Sequence, residues 1–169
     1  MVANVYVSRG YFADLKEVRA VRDRFAFLSR QHTNACSLRP ADLAKMAATR
    51  LQGSCCMPID LDHYARQIAG LRAYAALREV PRDPYDVPVA LARRLTSYRK
   101  IRLTPGRQHV YRRAISLSRE HGPCCCRCWR WYAFEGQAHE LIGRRNWGAR
   151  QVASLWDLED GCGGTDETA

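Results

Sequence analysis

Apolar residues recur every three or four positions through much of the chain, which is the spacing of an amphipathic helix. The clearest stretch covers residues 13 to 31, where one helical face carries Leu15, Val18, Val21, Phe25 and Leu28. Proline, glycine and capping residues divide the remainder, and further helices are predicted to begin near Pro40, Asp60, Asp86, Thr104, Pro123 and Asn146. Only residues 2 to 7 alternate as a strand does.

This pattern predicts a mainly α protein, a single compact bundle of about six or seven helices with little or no sheet. We expect one helical domain over residues 1–160, followed by a glycine-rich turn and an acidic tail over residues 161–169. A chain of 169 residues buries roughly 70% of its unfolded surface without help from disulfides or metals. Its eight cysteines are therefore more than the core requires, although some of them can serve as plain apolar packing.

The expected compartment bears on the role of these cysteines. The N-terminal residues lack the apolar core of a signal peptide, and no run of about 18 apolar residues predicts a membrane span. We therefore expect a cytosolic protein that does not enter a membrane. Thiols stay reduced in the cytosol, which favours metal binding or redox chemistry over structural disulfides.

Four cysteines, at positions 124, 125, 126 and 128, fall within five residues. If Pro123 opens a helix, these thiols lie at its positive N-terminal end, where the thiolate form is favoured. Cys125 and Cys128 would then share a helical face, as would Cys124 and Cys128, whereas Cys126 is turned by about 100° from Cys125. The helical interpretation therefore predicts two metal ligands from this segment, Cys125 and Cys128 in first place.

The remaining ligands must come from other parts of the chain. Cys55 and Cys56 lie in a predicted loop, Cys162 lies among glycines, and Cys36 lies in another loop. Four thiolates suit either Zn²⁺ or an iron–sulfur cluster, although the chain has only one of the two Cys-x-x-Cys pairs of a zinc ribbon. The predicted metal ligands are drawn from Cys125, Cys128, Cys124, Cys55, Cys56 and Cys162. Such a site would serve electron transfer, metal handling or sensing.

Two other interpretations of the cysteines stay open. In the first, the protein is a thiol–disulfide oxidoreductase or another thiol-dependent enzyme that uses Cys125 and Cys128, with Cys162 as their partner. In the second, the thiols only pack. Trp129 and Trp131 directly follow the cluster, where they either shield a bound cofactor from water or serve as core residues. The sequence does not decide whether the protein is an enzyme.

The net charge of +10 arises mainly from arginine. Residues 93–113 contain eight cations and no acidic residue, a composition that attracts nucleic acid or an acidic protein partner. The candidate nucleic-acid contacts are Arg93, Arg94, Arg99, Lys100, Arg112 and Arg113. A basic nucleic-acid-binding regulator is therefore a third possible function, and a merely solvated surface is the alternative.

Overall fold

The computed structural model describes residues 10–165, and helices dominate this range. Seven helices lie within it, namely α1 (Leu15–Leu28), α2 (Pro40–Leu43), α3 (Leu61–Leu71), α4 (Val89–Ser97), α5 (Pro105–Leu117), α6 (Trp129–Arg145) and α7 (Ala149–Glu159). Short 3₁₀ turns, Arg72–Tyr74 and Tyr98–Lys100, follow α3 and α4. The prediction of a mainly α protein with six or seven helices and little sheet is confirmed.

The sheet has two short antiparallel strands, β1 (Arg50–Gln52) and β2 (Asp86–Pro88), with Leu51 opposite Val87. Two predicted helix boundaries are therefore wrong: the helix from Pro40, which the apolar pattern extends to Leu51, ends at Leu43, and the helix expected near Asp86 begins only at Val89. The residue before a proline is disfavoured in helical conformation, which keeps Val87 extended and delays α4 until Val89. Leu51 and Val87 are fully buried, so the strand pair contributes to the core.

Capping residues set several helix starts. Asp60 accepts a hydrogen bond from the backbone N–H of His63 at the start of α3, and Thr104 accepts one from Arg107 at the start of α5. Asn146 was predicted to start the last helix, but it adopts a left-handed conformation (φ 58°) that ends α6. The last helix instead begins after Gly148.

The largest correction concerns the segment before α6, which was predicted to be helical from Pro123. Helix α6 begins only at Trp129, and residues 121–128 form a series of bends. The backbone N–H of Trp129 donates to the carbonyl of Leu38 at 2.8 Å rather than to a preceding turn. Gly122 (φ 148°) packs so closely against Trp131 that an added Cβ would lie 2.3 Å from the indole ring. These contacts hold the cysteine segment as a loop.

Helix α6 lies at the centre of the molecule, packed against α4, α5 and α7. Its Trp129 and Phe134 are fully buried, as are Leu95 of α4 and Leu155 of α7. None of the helices within residues 10–165 combines the length and apolar character that crossing a bilayer requires. The predicted strand at residues 2–7 and the end of the acidic tail lie outside the described residues, and the predicted domain boundary at residue 160 stays a prediction.

Candidate metal centre

All eight cysteines are free thiols, and four separate loops bring them together. Cys36 precedes α2, Cys55 and Cys56 follow β1, residues 124–128 precede α6, and Cys162 follows α7. The sulfur–sulfur contacts are Cys125–Cys162 at 2.8 Å, Cys36–Cys56 at 2.9 Å, Cys55–Cys56 and Cys56–Cys125 at 3.5 Å, Cys124–Cys162 at 3.6 Å, Cys124–Cys128 at 3.7 Å, Cys55–Cys162 at 3.9 Å and Cys124–Cys126 at 4.0 Å. These contacts link every cysteine into one polythiol cluster.

Backbone hydrogen bonds hold the loop of Cys55 and Cys56 against that of Cys162. The N–H groups of Cys56 and Met57 donate to the Cys162 carbonyl at 3.2 and 2.8 Å, and the N–H of Cys55 donates to Gly161 at 3.1 Å. Gly163 has a left-handed φ of 84°, and a Cβ there would lie 2.0 Å from the Met57 carbonyl oxygen. Only glycine permits this approach, so the spacing of these thiols depends on the loop sequence.

A second set of contacts holds the Cys36 loop beside the start of α6. The Trp129 N–H donates to the Leu38 carbonyl, and its indole N–H donates to the Asn34 side-chain oxygen at 2.8 Å. The guanidinium of Arg39 donates to the carbonyl of Arg127. Trp129 thus positions the cluster from the core side, while Trp131 is also buried and lies beneath the guanidinium of Arg127 at 3.8 Å.

Because residues 124–128 form a loop, their thiols are free of helical geometry. The helical premise that set Cys126 apart from Cys125 is therefore wrong, and the Cys126 sulfur lies within 4.8 Å of those of Cys36, Cys55 and Cys56. Cys125 contacts Cys162 and Cys56, whereas Cys128 contacts Cys124. Cys36 and Cys126 were not among the predicted ligands, because the pairing of these distant loops is a tertiary feature without a local pattern.

Burial divides the cluster unevenly. Cys124, Cys128 and Cys162 are buried within the main core, whereas Cys56 and Cys125 are exposed. The other three, Cys36, Cys55 and Cys126, are partly buried. One side of the cluster therefore faces solvent and the other side faces the apolar interior.

The spacing of the sulfurs fits the coordination of metal ions. Four groups of three or four cysteines have all their sulfurs within 4.8 Å of one another, and the four-membered group is Cys36, Cys55, Cys56 and Cys126. Zinc–sulfur bonds of about 2.3 Å place the corners of a tetrahedron about 3.8 Å apart, and six of the eight measured sulfur contacts lie between 3.5 and 4.0 Å. The cysteine groups are thus close enough to hold a metal ion.

The thiols strongly influence one another's ionisation. Hydrogen bonds from neighbours, Cys125 foremost, lower the pKa of Cys124 to about 3, and those from Cys124 and Cys55 lower the pKa of Cys162 to about 5. A hydrogen bond with Cys124 raises the pKa of Cys55, and another raises the pKa of Cys125. Burial raises the pKa of Cys56 to about 12. Without a cation, negative charge is thus confined to a few sulfurs while the others keep their protons.

A buried cation lies beside these thiols. The side chain of Arg130 is fully buried between Trp129 and Phe134, and it donates to the backbone carbonyls of Glu159 at 2.8 Å and Pro84 at 2.6 Å. Its Nε has no hydrogen-bond partner among the described residues. Burial opposes the charge, but the thiols, led by Cys124, raise the pKa of Arg130. Its bonded acceptors are neutral, and the groups near enough to balance its charge are the polythiol cluster and the buried carboxyls of Glu159 and Asp160.

The predicted nucleic-acid contacts lie on α4, its 3₁₀ extension and α5, and all six side chains are exposed. Arg93, Arg99 and Lys100, with two hydroxyl side chains, line a cleft of about 580 Å³ beside α2. Arg99 is paired with Glu135 at 2.5 Å, and Arg94 donates to the Arg78 carbonyl. Charge is thus partly neutralised on this face, and Arg93 and Lys100 remain available to an anion.

Comparison with known protein families, curated proteins and solved structures finds nothing that matches this chain. The fold and the site therefore define only a class, that of a helical protein with a polythiol cluster able to hold a metal ion. A more particular assignment must come from the chemistry of the cluster.

Proposed function

We propose that this protein binds a soft metal ion through cysteine thiolates, with Zn²⁺ in first place, and serves metal handling or sensing. One observation carries the proposal: eight free thiols from four distant segments form a single network of sulfur contacts between 2.8 and 4.0 Å. Cysteines that only pack do not need one another as neighbours, because any apolar side chain satisfies them. Convergence of thiols from distant segments is what a shared metal ion requires.

The spacing favours individual ions over an iron–sulfur cluster. In a four-iron cluster each cysteine binds a different iron, and inorganic sulfide occupies the space between them. The sulfurs here contact one another directly, as in the Cys124–Cys162 and Cys124–Cys128 pairs, which corresponds to ligands of one ion. Since Zn²⁺ has no redox chemistry, electron transfer belongs to the iron–sulfur alternative.

The electrostatic surroundings support an anionic metal centre. Four thiolates around Zn²⁺ carry a net charge of −2, and burying such a charge requires a cation nearby. Arg130 supplies a buried guanidinium with a free Nε beside the cluster. In a protein whose thiols all stayed neutral, this cation would have only the carboxyls of Glu159 and Asp160 to balance it, and burial raises the pKa of both.

The test is to purify the protein without air and to measure zinc, iron, copper and acid-labile sulfide per chain, together with the visible spectrum. We expect colourless protein with stoichiometric zinc, in which Co²⁺ substitution gives the absorption bands of tetrahedral thiolate coordination. Replacing Cys124 and Cys162 by serine should lower the amount of zinc bound per chain, while Ser54→Ala, beside Cys55, should leave it unchanged. Brown protein that contains iron and sulfide would support an iron–sulfur cluster instead of zinc. Protein that binds no metal would refute the proposal.

Thiol–disulfide exchange is a second candidate, and the two shortest sulfur contacts favour it. Cys125 lies 2.8 Å from Cys162, and Cys36 lies 2.9 Å from Cys56, so these pairs are placed to oxidise. The partner for Cys125 would then be Cys162 rather than Cys128. Peptide mapping after mild oxidation of the metal-free protein should find the 125–162 disulfide first, and a redox function requires that this oxidation be reversible by a dithiol.

Nucleic-acid binding is the third candidate, and the cleft between α2 and α4 favours it. Arg93 and Lys100 line this cleft with Thr96 and Ser97, and such groups bind phosphate oxygens. The double variant Arg93→Glu/Lys100→Glu should lose salt-sensitive retention on DNA, whereas Arg19→Glu, an exposed change on α1, should not. Equal effects of the two charge reversals would mean non-specific attraction and would count against this function.

A further inference from the structure

The eight thiols exceed what one ion can use, because a structural zinc ion takes four ligands. Resting on the proposed metal binding, we infer that the cluster holds two ions, an inner ion retained by the core and an outer ion that exchanges with external thiols. The inner site is formed by Cys124, Cys125, Cys128 and Cys162. The outer site is formed by Cys36, Cys55, Cys56 and Cys126.

The outer site is a complete ligand set on geometry alone. Its four sulfurs lie within 4.8 Å of one another, with Cys36–Cys56 at 2.9 Å and Cys55–Cys56 at 3.5 Å. None of its cysteines is fully enclosed: Cys56 is exposed and the other three are partly buried. An ion held there has solvent on one side, so an incoming ligand can reach it.

The inner site is held differently. Cys124, Cys128 and Cys162 are at most 1% exposed and belong to the main hydrophobic core. Cys124 contacts both of the others, at 3.7 and 3.6 Å, and Cys125 contacts Cys162 at 2.8 Å. An incoming ligand would have to enter the core to displace a buried sulfur, and apolar surroundings of this kind restrict access to a metal.

The two sites contact each other, and the outer ion can be exchanged while the inner ion stays bound. Cys56 lies 3.5 Å from Cys125, and Cys55 lies 3.9 Å from Cys162, so the inner ion fixes two outer ligands in place. Exchange then proceeds by substitution: an external thiol binds the outer ion and gives up its proton, while the displaced cysteine takes up a proton. No electron transfer is involved, and the metal passes to an acceptor that bears thiols.

The surface around the outer site favours an anionic acceptor. Arg39 and Arg127, both exposed, lie beside Cys126, and the guanidinium of Arg39 donates to the Arg127 carbonyl. An acceptor with carboxylates beside its thiol is therefore attracted to the site. Glutathione, which carries both groups, is a suitable probe of this chemistry.

The experiment loads the full chain with Zn²⁺, counts the bound ions, and follows their release to excess glutathione with a chromophoric chelator as reporter. We expect two ions per chain and two phases of equal amplitude, the fast one from the outer site. Cys36→Ser should bind one ion and lack the fast phase, while Ser37→Ala, its immediate neighbour, should keep both. Arg127→Glu should slow the fast phase and leave the slow one unchanged.

The outcomes separate the inference from the function on which it rests. A chain that binds no metal refutes the proposed function itself. A chain that binds one ion, or releases two ions in a single phase, keeps that function and overturns the two-site inference. The wild-type kinetics decide between these outcomes even if a variant misfolds, and ¹¹³Cd spectra of the wild type, with two thiolate signals or one, give an independent count.

Discussion

Replacing Gly163 by alanine tests whether the paired loops hold the polythiol cluster together. Gly163 has a φ of 84°, and its added Cβ would lie 2.0 Å from the Met57 carbonyl oxygen. A left-handed alanine costs about 1–2 kcal/mol. Relief of the overlap separates the loops, which removes the hydrogen bonds from Met57 to Cys162 and from Gly164 to Pro58, at about 1 kcal/mol each.

Together these losses amount to about 3–4 kcal/mol, a large part of the stability of an ordinary domain. Because the cost falls on the contact between the thiols at 55–56 and the thiol at 162, metal affinity should fall by up to about 150- to 1,000-fold. Zinc affinity is measured by competition with a chelator of known strength, and stability is measured by guanidinium unfolding of the metal-free protein.

Gly106→Ala provides the matched control. Gly106 lies in the first turn of α5, and nothing lies within 4 Å of an added Cβ there. This change should stabilise the protein by up to about 1 kcal/mol and leave metal affinity unchanged. If Gly163→Ala binds zinc as tightly as the wild type and unfolds at the same denaturant concentration, the loop pairing does not position the thiols as described.

Three further outcomes are expected. Arg130→Met should destabilise the metal-bound protein more than the metal-free protein, because metal binding increases the number of thiolates that the buried cation balances, and equal losses in guanidinium unfolding would contradict this. Metal affinity should rise with pH, because the pKa of Cys56 is raised to about 12 and this thiol must lose a proton when it binds metal. Calorimetry in two buffers of different ionisation enthalpy counts the protons released on binding. A count of zero would argue against thiolate ligation. Trp129→Phe leaves the side-chain oxygen of Asn34 without its indole donor and should lower the free energy of unfolding by about 1–3 kcal/mol. An unchanged midpoint in a denaturant titration would contradict a structural role for this hydrogen bond.

The helices could be predicted from the sequence because their signals are local. Asp60 and Thr104 cap the helices they were expected to cap, and the apolar spacing of residues 15–28 matches α1. The start of α6 could not be predicted, because it depends on the bond from the Trp129 N–H to Leu38, about ninety positions away in the chain. A proline at position 123 offers the same local signal whether or not a helix follows.

The sequence predicts that the candidate site consists of thiols, but it does not predict which cysteines come together. The dense run at residues 124–128 identified thiols as the important groups, and the loops at Cys55 and Cys162 were expected to contribute. The roles of Cys36 and Cys126 depend on how loops pack, since Cys126 meets Cys36 only in the folded chain. The positive charge of Arg130 next to the cysteines can be seen in the sequence, but its burial could not be predicted, because nothing local distinguishes it from the many other arginines.

The wide separation of the four cysteine loops along the chain has a consequence for biosynthesis. Cys36 emerges from the ribosome long before Cys162, so the complete set of sulfurs cannot assemble until residue 162 has been made. A metal ion that joins these loops would close a ring containing most of the chain, and such long-range links restrict the unfolded ensemble strongly. A full complement of metal would then mark the molecules in which all four loops have come together.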